Sequence, residues 1–128
     1  MSYLTEMRPL PSCPDAEKGV LSCFVIHPVE VAQICAIDGI TAERFHIPAF
    51  AKVFSALQEM VAKCEPVDFV TLTNSLRAAG CFDAVGGAPF INELFTFLST
   101  AANVRFYITA MNRDYLSRQV IKICTEYA

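Results

Sequence analysis

The sequence predicts an all-α fold, a small helical bundle ending in a long helical hairpin. Strand-like alternation of apolar and polar residues is nearly absent, while apolar residues from Phe50 to Val61 recur at the i, i+3, i+4, i+7 spacing of one helix face. Prolines suited to first helical turns and glycines suited to helix stops punctuate the chain. A length of 128 residues sets one domain, and folding at that size buries roughly two thirds of the surface the unfolded chain exposes.

Residues 1–13 carry Pro9 and Pro11, with Pro14 just beyond, and each proline biases its predecessor away from helix. They read as an extended N-terminal arm, and the helical domain spans 14–128. A first helix starts at Pro14 to Glu17, where Asp15 and Glu17 favour the positive end of the dipole and Val20, Leu21, Phe24 and Val25 recur at helical spacing. Pro28 closes it. A short second helix fits Glu30 to Ile37 and stops at Asp38-Gly39, after which Thr41 caps a turn through Ala42, Glu43, Arg44 and Phe45.

The third helix opens at Pro48 and aligns Phe50, Val53, Phe54, Leu57, Met60 and Val61 on one face. Glu65-Pro66 ends it. After an extended Val67 to Val70, a fourth helix runs from about Thr71 to Ala79 with Gly80 as its stop, and Gly86-Gly87 supplies a turn before Pro89. The helix from Pro89 to about Leu98 has only Asn92, Glu93 and Thr96 as polar members; being apolar on two sides, it needs two neighbours.

Thr100 caps the last helix. Val104, Ile108, Met111 and Tyr115 form one stripe on it, and Leu116, Val120, Ile123 and Tyr127 another. Asp114 and Arg118 form an i, i+4 pair on its exposed side, worth about 0.2–0.5 kcal/mol. Every earlier helix has a stop signal and this one has none before Ala128, so the chain is expected to be cut from something longer.

Composition narrows the function classes. The apolar fraction of 54 % exceeds the usual value of about 45–50 %, and the charged fraction of 18 % falls below the usual quarter, so some apolar surface is expected to face a partner chain. A net charge of −3 with ten Lys and Arg argues against a domain that grips a nucleic-acid backbone by itself. The N-terminus lacks the pattern of a secretory signal, and the longest apolar stretch is far below the roughly 20 residues of a membrane span. The chain reads as cytoplasmic.

No cluster points to catalysis. The six cysteines show no CxxC pair and no zinc-like spacing, so they read as reduced, small apolar residues. Gly86-Gly87 lacks the Lys and hydroxyl of a phosphate loop and reads as a turn. His27 and His46 lie at or beside helix boundaries; a cysteine hydrolase built on one of them is retained only as a check by thiol alkylation. Asp68 and Asp83 sit beside turns, where Asp bonds its own backbone or caps a following helix. Catalytic, metal-binding and cofactor-binding residues are therefore assigned as none.

The apolar excess lies on the last two helices. An antiparallel hairpin at a dimer seam shows this pattern, and the expected oligomer interface is Phe90, Leu94, Phe97, Val104, Ile108, Met111 and Tyr115.

The motifs resemble the N-terminal domain of bacterial replicative DNA helicases of the DnaB family. The likeness covers nearly the whole chain from Pro11. It rests on VDFVTL (67–72), the LRAAG-CFDAVGG run (76–87), Phe90, Glu93-Leu94, and AAN-x-x-x-Y through Ala101, Ala102, Asn103 and Tyr107. Pro11, Glu17, Val20 and Leu21 follow the family's opening, and Phe45, Val53, Phe54 and Leu57 its next helix. Ser22 stands where the family usually has glycine, His27 where it usually has aspartate, and Phe50 where histidine is common.

The resemblance implies a non-catalytic collar that pairs through its terminal hairpin, belongs to a hexameric ring and contributes to primase docking in the primosome. It implies that ATP and magnesium belong to a separate RecA-like motor of the parent helicase, with DNA met only through the ring. The alternative is a free-standing, helicase-derived adaptor or decoy that binds helicase or primase.

Overall fold

The structure, a computed structural model, describes residues 13–126. Among them are six α-helices, one 3₁₀ turn and no strand: α1 (Pro14–Ile26), α2 (Pro28–Ile37), the 3₁₀ turn Ala42–Arg44, α3 (Pro48–Ala62), α4 (Phe69–Ala78), α5 (Gly87–Phe97) and α6 (Val104–Glu126). The all-α expectation holds. Apart from Cys13, the expected N-terminal arm lies outside the described residues, as does Tyr127.

Local chemistry sets the element boundaries. Pro28 both ends α1 and opens α2, because its ring excludes a continuing helix while its fixed φ suits a first turn. Helix α2 thus starts two residues before the expected Glu30. Asp68 forms a reciprocal capping box: Thr71 N–H donates to Asp68 Oδ1 at 2.8 Å and Asp68 N–H donates to Thr71 Oγ1 at 2.8 Å. The cap starts α4 at Phe69, where an extended segment from Val67 to Val70 was expected. Thr41 precedes the 3₁₀ turn in an extended conformation, but its side chain makes no capping bond. At the end of α3, Glu65 N–H donates to the Met60 carbonyl and Cys64 N–H to that of Val61, with Cys64 at φ 58° in the left-handed position glycine usually takes.

Helix α1 is the hub, packing against α2, α3, α5 and α6. Val20, Leu21, Cys23 and Phe24 are wholly buried, and Phe24 meets Phe54 of α3 edge-on at 5.6 Å between ring centroids. Full burial of such side chains stabilises by about 1.5–3 kcal/mol each. Glu17 is buried on α1, yet its carboxylate accepts N–H groups from His46 and Ile47 at 3.1–3.2 Å. Ile47 is the N-cap residue of α3 and has no side-chain oxygen, so Glu17 satisfies that helix start from a neighbouring element.

The terminal pair differs from a closed hairpin. Residues 98–103 connect α5 to α6, but both helices take α1, rather than each other, as their principal neighbour. Ser22 fastens α5 by donating its hydroxyl to the Leu94 carbonyl at 2.7 Å. Gly19 admits α6: a Cβ there would lie 2.9 Å from Cγ of Tyr107.

Candidate interaction surface

The start of α6 follows the AAN-x-x-x-Y motif. The Asn103 carbonyl accepts the N–H groups of Phe106 and Tyr107, turning the chain into helix just where Tyr107 settles over Gly19. That contact fixes which side of α6 faces the bundle. Val104, Ile108 and Met111 are buried there.

Further along, a polar cluster ties α6 to the 3₁₀ turn. Tyr115 Oη donates to Glu43 at 2.8 Å, and this acceptor holds the phenol above its ordinary pKa. The Arg44 guanidinium lies 4.5 Å from the Tyr115 ring centre and donates to Asn112 Oδ1 at 3.3 Å. Arg118, expected on the exposed side, is buried and donates to the Arg44 carbonyl at 3.2 Å. Its long side chain reaches an acceptor across the helix interface that sequence spacing could not reveal.

Four of the seven expected interface residues therefore need correction. Leu94, Val104, Ile108 and Met111 belong to the protomer core, because both terminal helices spend their strongest apolar stripe on the bundle. Phe90 is half-buried, stacked on Phe50 at 5.5 Å. Tyr115 is half-buried in the polar cluster. Phe97 is exposed and carries Lys18 4.7 Å from its ring centre; Lys18 also pairs with Glu93.

A run of accessible apolar residues lies on the opposite side of α6, besides the scattered exposed Val29, Ile37 and Val70. Phe106 is 71 % exposed, Leu116 56 %, Val120 59 % and Ile123 54 %. Together with Thr109 and Arg113 they follow alternating three- and four-residue steps, the pattern of a coiled-coil seam. Leu116, Val120 and Ile123 appeared in the sequence as a second stripe, but Phe106 was missed. The signal that reveals it is the same alternation read backwards through Thr109 and Arg113. From Val120 to Glu126 every residue is exposed, so the end of α6 projects beyond its own bundle.

A second concave feature, an open groove of about 890 Å³, runs between α3 and α4. Alanine and serine side chains form much of its walls, with Lys52, Glu59, Lys63 and Glu65 around them. All six cysteines are free, and burial pushes the thiols of Cys23 and Cys35 up to about 11, which favours the unreactive neutral form. Among the described residues, no group of three or more His, Cys, Asp or Glu is placed to hold a metal ion, and no helix is long and apolar enough to cross a membrane.

Geometry thus defines the class as a small all-helical domain whose distinguishing surface is an apolar helix face. The family model for the DnaB-like helicase N terminal domain matches residues 9–113, and the chain belongs to that family. It is 32 % identical over its whole length to the replicative DNA helicase DnaB of Geobacillus stearothermophilus, and 27 % identical to the replicative DNA helicase DnaC of Bacillus subtilis. The chain spans 28 % of the length of each. The crystal structure of the N-terminal domain of DnaB helicase from Mycobacterium tuberculosis has the same fold, with a TM-score of 0.84 at 25 % identity, over 92 % of this chain and 84 % of that one.

Proposed function

We propose that the chain is the collar of a replicative DNA helicase: residues 14–128 hold protomers of a hexameric ring together and help to dock primase. The observation that carries the oligomerisation reading is the outward stripe of Phe106, Leu116, Val120 and Ile123 on α6. A stripe this regular on a projecting helix is costly in water, and complete burial would return about 1.5–3 kcal/mol per side chain. Of the sequence-derived interface, Phe97, Phe90 and Tyr115 remain accessible enough to contribute, whereas Leu94, Val104, Ile108 and Met111 act indirectly by seating the helices.

In this reading the domain performs no reaction. ATP and magnesium belong to a RecA-like motor elsewhere in the parent protein, DNA is met only through the ring, and the protein works in the cytoplasm. Primase docking rests on the family membership and would be tested by titrating primase into the assembled collar.

The oligomerisation test is sedimentation at tens of micromolar. The wild-type chain should form concentration-dependent dimers or larger species, while Val120→Asp should stay helical and monomeric, because a charge buried in an apolar seam costs several kcal/mol. Met111→Asp should instead lose its helical fold. A wild-type chain that remains monomeric at every concentration would defeat the proposal.

A further inference from the structure

We propose that the groove between α3 and α4 is the seat of the chain's own N-terminal arm, with Leu10 at the Ala51 end, Met7 midway and Leu4 toward the connection between the two helices. This docking is independent of the self-association proposed above and holds equally in a monomer.

The groove is built to receive side chains rather than to supply them. Ala51, Ser55 and Ala56 of α3 and Ser75, Ala78 and Ala79 of α4 form much of its walls, and their small side chains leave an open volume of about 890 Å³. Its charged members, Lys52, Glu59, Lys63 and Glu65, sum to zero, and Lys63 is already paired with Glu59 at 2.8 Å. Neither a nucleic-acid backbone nor a strongly acidic or basic peptide gains net attraction there. The occupant that fits is a segment of zero net charge with apolar side chains spaced along it.

Residues 1–12, which lie outside the described residues, have that character in sequence. Glu6 and Arg8 cancel in charge, and Leu4, Met7 and Leu10 recur at every third position. Such positions share one face of a polyproline II helix, the conformation that Pro9 and Pro11 favour for Arg8 and Leu10. At about 3.1 Å per residue, Leu4 to Leu10 spans about 19 Å. Along α3, Ala51 to Lys63 spans about 18 Å at about 1.5 Å per residue. The apolar stripe and the groove therefore match in length.

The arm also joins the bundle beside the correct end of the groove. The Cys13 carbonyl accepts the Glu17 N–H, one turn along α1, and the Glu17 carboxylate accepts the Ile47 N–H at 3.2 Å. The Ile47 carbonyl in turn accepts the N–H of Ala51, the first groove residue on α3. Cys13 and Ala51 are thus each one helical turn from the same contact. Three residues from Cys13 back to Leu10, about 10 Å when extended, cover a separation of that order. Because the arm is tethered, its effective concentration at the groove is about millimolar, enough to hold a contact too weak for a free peptide.

Disulfide trapping in the full chain tests the seat. In a Cys13→Ser/Cys64→Ser/Cys124→Ser background, Met7→Cys is combined either with Ser55→Cys on the groove wall or with Gln33→Cys on the outer side of α2; Ser55 and Gln33 are both exposed, so neither change disturbs the core. With glutathione disulfide at low protein concentration, the bond to Ser55→Cys should close within one molecule at least about tenfold faster than the bond to Gln33→Cys. Leu4→Ser/Leu10→Ser should remove the difference. Peptide mapping identifies the bond, and one to the native Cys81, which lines the same groove, counts as seating there. Equal rates at the two positions, or a preference that survives the loss of both leucines, overturn the proposal. A bond that forms only between two molecules, seen as a doubled mass, gives the groove to a second copy's arm and overturns docking within one chain. A fast intramolecular bond that depends on Leu4 and Leu10 establishes it.

Discussion

Replacing Gly19 by alanine sets two well-characterised effects against each other. In an ordinary helix interior the change stabilises by about 1 kcal/mol, because glycine loses more backbone freedom on folding. Here the added methyl would lie 2.9 Å from Cγ and 3.0 Å from both Cδ atoms of Tyr107, so it presses on the root of the ring, close to the α6 backbone. Overpacking of this kind costs about 1–3 kcal/mol. The net expectation is a loss of about 0–2 kcal/mol, and a double-mutant cycle separates the parts. In a Tyr107→Ala background the obstruction is gone, and Gly19→Ala should stabilise by about 1 kcal/mol. Urea unfolding followed by circular dichroism would measure all four chains, with an expected coupling of about 1–3 kcal/mol. Equal stabilisation in both backgrounds would refute the reasoning, since the ring would then yield at no cost and Gly19 would not set the seat of α6.

Cys64→Gly should raise stability by about 1 kcal/mol in the same unfolding assay, because the exposed Cys64 holds φ 58° at the end of α3. Asp68 is held below its usual pKa of 3.8 by the Thr71 N–H that its carboxylate accepts. Its stabilising contribution is thus present above that usual value and lost as the pH falls through the lowered one. Asp68→Ala should lower the melting temperature at neutral pH, and the deficit should shrink as the pH falls from 3.8 through the lowered value. Thiol titration of the native chain should find Cys64 and Cys124 fast and Cys23 and Cys35 slow until unfolding; rapid alkylation of one buried thiol would revive a nucleophilic role.

The elements were legible in the sequence because their signals are local. Pro14 and Pro48 open helices, Gly80 and the Gly86-Gly87 pair take positive φ at turns, and the α3 face from Val53 to Met60 is buried as its spacing requires. The boundary errors at Pro28 and Asp68 have one origin: a residue that ends one conformation can begin the next, and spacing alone does not say which role wins. The interaction surface was harder to read for a different reason. Helix α6 has two apolar stripes, and periodicity detects both without ranking them. Their ranking depends on α1, whose Gly19 is small enough to receive Tyr107, and on Arg44, whose carbonyl draws Arg118 inward. Both partners lie far away in sequence.

That dependence on α1 also separates the two tasks of α6. Its inward face ends in the Arg44, Tyr115 and Arg118 cluster, while the outer seam continues past it to Ile123 with no further bundle contact. A substitution in the inward face changes the seat of the whole helix and therefore alters folding and association together. A substitution at Val120 or Ile123 changes only what the projecting end meets. The tilt at which α6 leaves the bundle is set by Tyr107 on Gly19 at one point and by the polar cluster at another, about two turns along the helix. Loosening either support should weaken pairing without touching a seam residue, because an end that can swing must lose that freedom when it docks. Rigidity supplied by the core is therefore part of the affinity of the outer face.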